Sequence, residues 1–115
     1  MTKPRRGDLW TVNLSPTVGR EQAGTRPALI ISVDELNHSA ADLVIALPVT
    51  TRERKIRSHV RVDEGGEGGL HAQSFIKCED VRSISVRRLV HRLGSVSAET
   101  LGAVEDRLRI LLGLY

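Results

Sequence analysis

Seven short stretches of the chain carry the hydrophobic pattern of strands, and one late stretch carries that of a helix. Leu9-Trp10-Thr11-Val12-Asn13-Leu14 alternates apolar and polar residues, the period of a half-buried strand, and Ser15-Pro16-Thr17-Val18-Gly19 predicts the turn after it. Ala28 to Val33 and Leu43 to Val49 are apolar runs rich in β-branched residues, bounded by Pro27, Asp34, Asp42 and Thr50, and both predict buried strands. Pro48 has no N–H to give a ladder, so the second run is expected to end, bulge or lie at an edge there. His59 to Val62, Ser74 to Cys78, Val81 to Ser85 and Leu89 to Leu93 supply further short strands. Polar turns at Glu79-Asp80 and Val86-Arg87-Arg88 separate the last three.

A helical period occurs only near the C-terminus. Ser97 can cap a helix whose Leu101, Val104, Leu108, Leu111 and Leu112 share one stripe. Glu99 sits near its positive end, and Glu105 is set to pair with Arg109 four residues on. The pattern is mainly β with α: a small, strongly curved sheet or barrel closed by one C-terminal helix. With no internal repeat and no linker, residues 1–115 are expected to form a single domain.

Length and composition narrow the chemistry. The 115 residues are too few for a TIM barrel or a doubly wound dinucleotide fold. A single cysteine, Cys78, excludes an intramolecular disulfide and fits a reducing compartment, and its place in an expected strand with no His or Asn signature around it predicts a structural thiol. No apolar leader segment or membrane-length run is present, so a cytoplasmic location is expected, with no membrane partner.

The net charge of +3 hides its distribution. Fourteen of the 17 basic residues are Arg. Arg52, Arg54, Lys55, Arg57 and Arg61 fall within ten positions opposed only by Glu53, and Arg82, Arg87, Arg88 and Arg92 form a second cluster with no assigned role. A guanidinium fork matches phosphate oxygens, so the clusters point to a polyanion. The only aromatics are Trp10, Phe75 and Tyr115, too few for a stacking platform.

Candidate chemistry is sparse. His38, His59, His71 and His91 are scattered, none at metal-ligand spacing, and each is expected at the surface or exposed on a strand; no metal site is expected. The loop Asp63-Glu64-Gly65-Gly66-Glu67-Gly68-Gly69 lacks the Gly-Lys-Ser/Thr ending of a phosphate-binding loop and predicts a glycine connection between strands. The informative stretch is Gly19-Arg20-Glu21-Gln22-Ala23-Gly24-Thr25-Arg26-Pro27, which brings a carboxylate, an amide and a guanidinium into one loop ahead of a buried strand. Arg26 there could equally pair with Glu21, and Thr50-Thr51 could hold a phosphate or simply occupy a turn.

These residues carry a resemblance. Arg6-Gly7-Asp8-Leu9-Trp10, Leu14-Ser15-Pro16-Thr17-Val18-Gly19, Glu21-Gln22-Ala23-Gly24-Thr25-Arg26-Pro27-Ala28, Pro48-Val49-Thr50-Thr51 and Cys78-Glu79-Asp80-Val81-Arg82-Ser83-Ile84 follow in order the pattern of the MazF/PemK family of bacterial toxins. Arg20, Asp80 and Gln73 depart from it, where the family commonly has Ser, Gln and a small acidic residue. The resemblance implies an SH3-like β-barrel of the plasmid maintenance toxin type and a homodimer. It also implies a metal-independent endoribonuclease that cuts single-stranded RNA at specific sequences, needs no cofactor, and is blocked by an acidic, MazE-like antitoxin. Arg26 and Thr50 stand at the family's two principal catalytic positions, and Glu21 at a third. Gln22 and Thr51 are their near neighbours; Arg52, Arg54, Lys55 and Arg57, just beyond, are expected to bind RNA phosphates. A same-fold toxin of the CcdB type, which poisons DNA gyrase without cutting RNA, is the alternative.

Overall fold

The computed structural model describes residues 3–14, 24–63 and 69–114. The expected turn at Ser15 to Gly19, the candidates Glu21 and Gln22, and most of the glycine loop lie outside them. Seven strands and two helices follow in the order β1 (Asp8–Asn13), β2 (Thr25–Ile30), α1 (Asp34–Asn37), β3 (Leu43–Thr50), β4 (His59–Val62), β5 (Ser74–Lys77), β6 (Arg82–Ser85), β7 (Leu89–Ser95) and α2 (Ala98–Leu112). The sheet is antiparallel, in the order β4-β5-β3-β2-β1-β7, with β6 also paired to β3. This is the mainly β architecture with a C-terminal helix that the sequence predicts.

Strand β3 makes the sheet curl. On one side it pairs with β2; on the other, Leu43–Ala46 pair with β6 and Val49–Thr50 pair with β5. Pro48 falls between those two partners, so a residue without an N–H sits where that side of the strand changes neighbours. The strand continues past Pro48, contrary to the expected break or edge position.

Both faces of the central strands are covered, which is why β2 and β3 read as continuous apolar runs. Leu9, Leu29, Leu47 and Val49 point to one core with Val60, Ile76 and Val104 of α2. Their alternating neighbours Trp10, Val12, Ala28, Ile30, Val44 and Ala46 point to a second core with Ile84. Strand β2 ends at Ile30 rather than Val33, because Ser32, Asp34 and Asn37 build a polar knot around the single turn of α1. Ser32 donates to Asn37, Asn37 Nδ2 donates to the Ser32 carbonyl at 2.9 Å, and Asp34 accepts the Arg6 N–H at 2.8 Å. Four residues are too few to show a helical period.

Ser97 caps α2 as expected, accepting from the Thr100 N–H at 3.1 Å, and Gly113 ends it in the left-handed region at φ 68°. Two expectations for this helix fail. Glu105 pairs with Arg6 at 2.6 Å, not with Arg109, which binds Asp106 at 2.8 Å. Only Val104 of the stripe is fully buried; Leu111, Leu112 and Leu114 stand exposed, as does Ile110 at 66%. No helix of the described residues is long and apolar enough to cross a membrane.

Candidate active site

Arg26 and Thr50 lie at adjoining ends of the paired strands β2 and β3. Arg26 is exposed near the start of β2, opposite Val12 of β1. Strands β2 and β3 pair Ala28 with Pro48, Leu29 with Leu47 and Ile30 with Ala46. The last pair on that ladder is Ala28 with Pro48, and Arg26 and Thr50 each lie two residues beyond it, toward the loops. Thr50 closes β3 next to Phe75 of β5, and its hydroxyl oxygen accepts the Arg52 N–H at 3.1 Å. A hydroxyl has one hydrogen and two lone pairs, so that bond leaves the Thr50 hydrogen for another acceptor.

The basic loop follows directly. Arg52, Arg54, Lys55 and Arg57 are exposed, and none makes an ion pair with a described residue. The chain turns through Lys55 at φ 52°, and the Arg57 carbonyl accepts from Arg107 Nε of α2 at 3.1 Å, fastening the loop to the helix. Arg61 is different, since Asp63 holds it at 2.9 Å.

The second Arg cluster is held by partners within the fold. Asp80 takes a bidentate grip on Arg82 at 2.9 Å, Asp8 holds Arg92 at 3.2 Å, and Asp42 holds Arg87 at 3.4 Å. Arg88 donates to the Asn13 carbonyl at 3.2 Å. Burial opposes the charge on Asp80, but Arg82 and Lys77 more than offset it and hold its carboxyl below the usual range.

His59 corrects the expectation that every histidine is exposed, since it is buried. Its Nε2 donates to Glu79 at 3.1 Å, and Ser58 donates to the other Glu79 oxygen at 2.7 Å. Burial raises the Glu79 carboxyl; the Ser58 hydroxyl, its own backbone N–H and His59 outweigh that and leave it lowered. Cys78 is fully buried just past β5, where burial pushes its thiol up to about 11, against a smaller lowering by Arg107. Its placement matches the structural role expected of it. Among the described residues no three His, Cys, Asp or Glu side chains gather as a metal site.

A cavity of about 350 Å³ opens behind the ends of β2 and β3. Pro27 and Thr51, the residues after Arg26 and Thr50, form one side, and Thr11, His71, Ser74 and His91 supply its polar lining. Thr11 Oγ1 and His91 Nε2 share a hydrogen bond of 3.2 Å across the β1–β7 pairing. Sequence inspection misses this group, because Thr11 and His91 lie 80 positions apart and only the ladder joins them.

Comparison with known proteins agrees with this fold. Residues 5–112 match the family model described as PemK-like, MazF-like toxin of type II toxin-antitoxin system. The chain is 32% identical to endoribonuclease MazF9 of Mycobacterium tuberculosis, over 96% of this chain and 98% of that protein. It is 34% identical to endoribonuclease EndoA of Bacillus subtilis, over 96% and 95% respectively. The crystal structure of MazF from Deinococcus radiodurans superposes with a TM-score of 0.83 at 30% identity, covering 99% of this chain and 100% of that one. The chain belongs to the PemK-like, MazF-like family of type II toxin–antitoxin toxins.

Proposed function

We propose that this protein is an endoribonuclease toxin that cuts single-stranded RNA at specific sequences without a metal, with Arg26, Thr50 and Glu21 as its catalytic residues. The observation that carries the assignment is the placement of Arg26 and Thr50 at the adjoining ends of the paired strands β2 and β3, beside an exposed basic loop whose Arg52, Arg54, Lys55 and Arg57 make no ion pair with a described residue. The ribose 2′-oxygen attacks the adjacent phosphorus and the bond from phosphorus to the 5′-oxygen breaks, leaving a 2′,3′-cyclic phosphate and a 5′-hydroxyl. The 2′-hydroxyl proton passes to the Glu21 carboxylate or to water, and the departing 5′-oxygen takes its proton from water while Arg26 hydrogen-bonds to it.

Arg26 suits the charge that develops between those events. Its fork presents two N–H donors to two phosphoryl oxygens, and Thr50 adds its hydroxyl hydrogen. A guanidinium keeps its proton in proteins, so the acceptor is the Glu21 carboxylate or a water rather than Arg26. Gln22 and Thr51 are assigned to RNA binding as sequence neighbours of the catalytic residues, and Arg52, Arg54, Lys55 and Arg57 carry the strand beyond them.

The same reading makes the chain one toxin domain that acts in the cytoplasm as a homodimer and is neutralised by an acidic antitoxin. Exposed Ile110, Leu111, Leu112 and Leu114 favour self-association, because an apolar patch on so small a domain calls for cover. A MazE–MazF complex from Deinococcus radiodurans has the same fold, at a TM-score of 0.80 and 30% identity, which favours an antitoxin partner. The curated relatives are named endoribonucleases, which weighs against a gyrase-binding toxin. Incubating the purified protein with RNA in excess EDTA and mapping the ends tests the proposal. Cuts bearing cyclic phosphate and 5′-hydroxyl ends are expected, and intact RNA would reject it.

A further inference from the structure

We infer that the cavity behind Thr51 and Pro27 is a nucleobase pocket, which receives one base of the RNA next to the phosphate held by Arg26 and Thr50. The inference rests on the nuclease reading and adds to it residues that the catalytic assignment leaves unused.

Position is the first argument. Pro27 and Thr51 both line the cavity, and each is the sequence neighbour of a catalytic candidate, Arg26 and Thr50. A nucleotide whose phosphate lies across these strand ends can turn its base over them into the cavity. Size and lining agree, since about 350 Å³ falls at the small end of ligand pockets. Its walls are apolar at Pro27 and Leu93, with a few polar atoms between them.

The polar atoms suit a base edge. The bond between Thr11 and His91 fixes the plane of the His91 ring and leaves Nδ1 as a further hydrogen-bonding atom. Ser74 donates to the Ala72 carbonyl at 2.8 Å and keeps its lone pairs as acceptors, while Thr51 is exposed with a hydroxyl that can donate. His71, also exposed, offers a flat face for stacking. No aromatic ring among the described residues competes for that role, because Trp10 and Phe75 are buried in the cores.

The wall itself is held in place. Gly69 has φ 67°, and a Cβ there would run into the Leu93 carbonyl, so the chain leading to His71 presses directly on β7. Glycine is required for that approach.

Two measurements test the pocket. Mapping cuts in an RNA library compares wild type with His91→Ala and Thr11→Val; both variants are expected to lose discrimination at one position beside the cut by roughly 5- to 100-fold. Binding is read separately with an oligonucleotide carrying a 2′-deoxy sugar at the cut, intact or abasic at that position. Base removal should weaken binding to wild type but cause little further loss in the His71→Ala, His91→Ala double variant. A wild type that cuts RNA while His91→Ala and Thr11→Val keep its preference at every position overturns the pocket alone. Equal abasic losses in wild type and double variant overturn it as well. A wild type that cuts no RNA instead removes the nuclease reading, and the pocket's role with it.

Discussion

Arg6 and Glu105 meet at 2.6 Å although 99 positions separate them. The same guanidinium donates through Nε to the Ile31 carbonyl at 3.1 Å, so one side chain ties the entrance of β1, the end of β2 and the middle of α2. Neighbouring Gly7, at φ 92°, donates to the Ile30 carbonyl and accepts from the Val96 N–H at 2.8 and 2.9 Å. The Arg6-Gly7-Asp8 segment is therefore a structural clasp away from the strand ends that hold Arg26 and Thr50.

Arg6→Ala is expected to cost about 1–2 kcal/mol, because two partly buried hydrogen bonds go and leave acceptors behind. Arg109→Ala should cost no more than about 0.5 kcal/mol, since its pair with Asp106 is exposed. Urea denaturation midpoints decide this, and equal losses would contradict the clasp.

Cys78 should be unreactive in the folded protein. Its thiol is fully buried and shifted up to about 11, so almost none is thiolate at pH 8. Iodoacetamide labelling followed by mass spectrometry should show slow modification that rises with urea through the unfolding transition. Rapid labelling of native protein would contradict the burial.

Glu79 makes stability depend on acid. Its folded pKa lies below its ordinary value of 4.5, so the stabilisation is complete above that pH and is lost as pH falls through the folded value. Glu79→Gln should therefore be less stable than wild type at pH 7, with the gap narrowing below about pH 4.5. Denaturation midpoints at pH 7 and pH 3.5 that differ by the same amount would contradict this.

The two Arg clusters should separate in salt. Each of Arg52, Arg54 and Arg57 that neutralises a phosphate adds about 0.7 to the slope of log affinity against log salt, so its replacement by Ala lowers the slope by that amount. Arg82→Ala should leave the slope unchanged, because Asp80 already holds that guanidinium. Fluorescence anisotropy with a single-stranded oligonucleotide provides the comparison.

Much of the fold is legible from alternation and end signals. The period of β1, the apolar runs of β2 and β3 and the cap at Ser97 all correspond to observed elements. Partners are less legible. On helical spacing Glu105 faces Arg109, and only packing selects Arg6 from across the fold. His59 reads as exposed because strand pattern alone does not reveal that Glu79, 20 positions away, will cover it. For the site, family motifs mark Arg26 and Thr50 while the β2–β3 pairing sets their strand ends side by side; Thr11 and His91 have no local signal at all.

The account turns on Arg26 as a two-donor clamp. Single-turnover cleavage of a short RNA in EDTA, comparing wild type with Arg26→Lys, tests it most directly. Lysine keeps the charge and loses the fork, so the rate should fall roughly 10²- to 10³-fold, with the folded structure and RNA affinity nearly unchanged. Cleavage by Arg26→Lys at close to the wild-type rate would contradict the account.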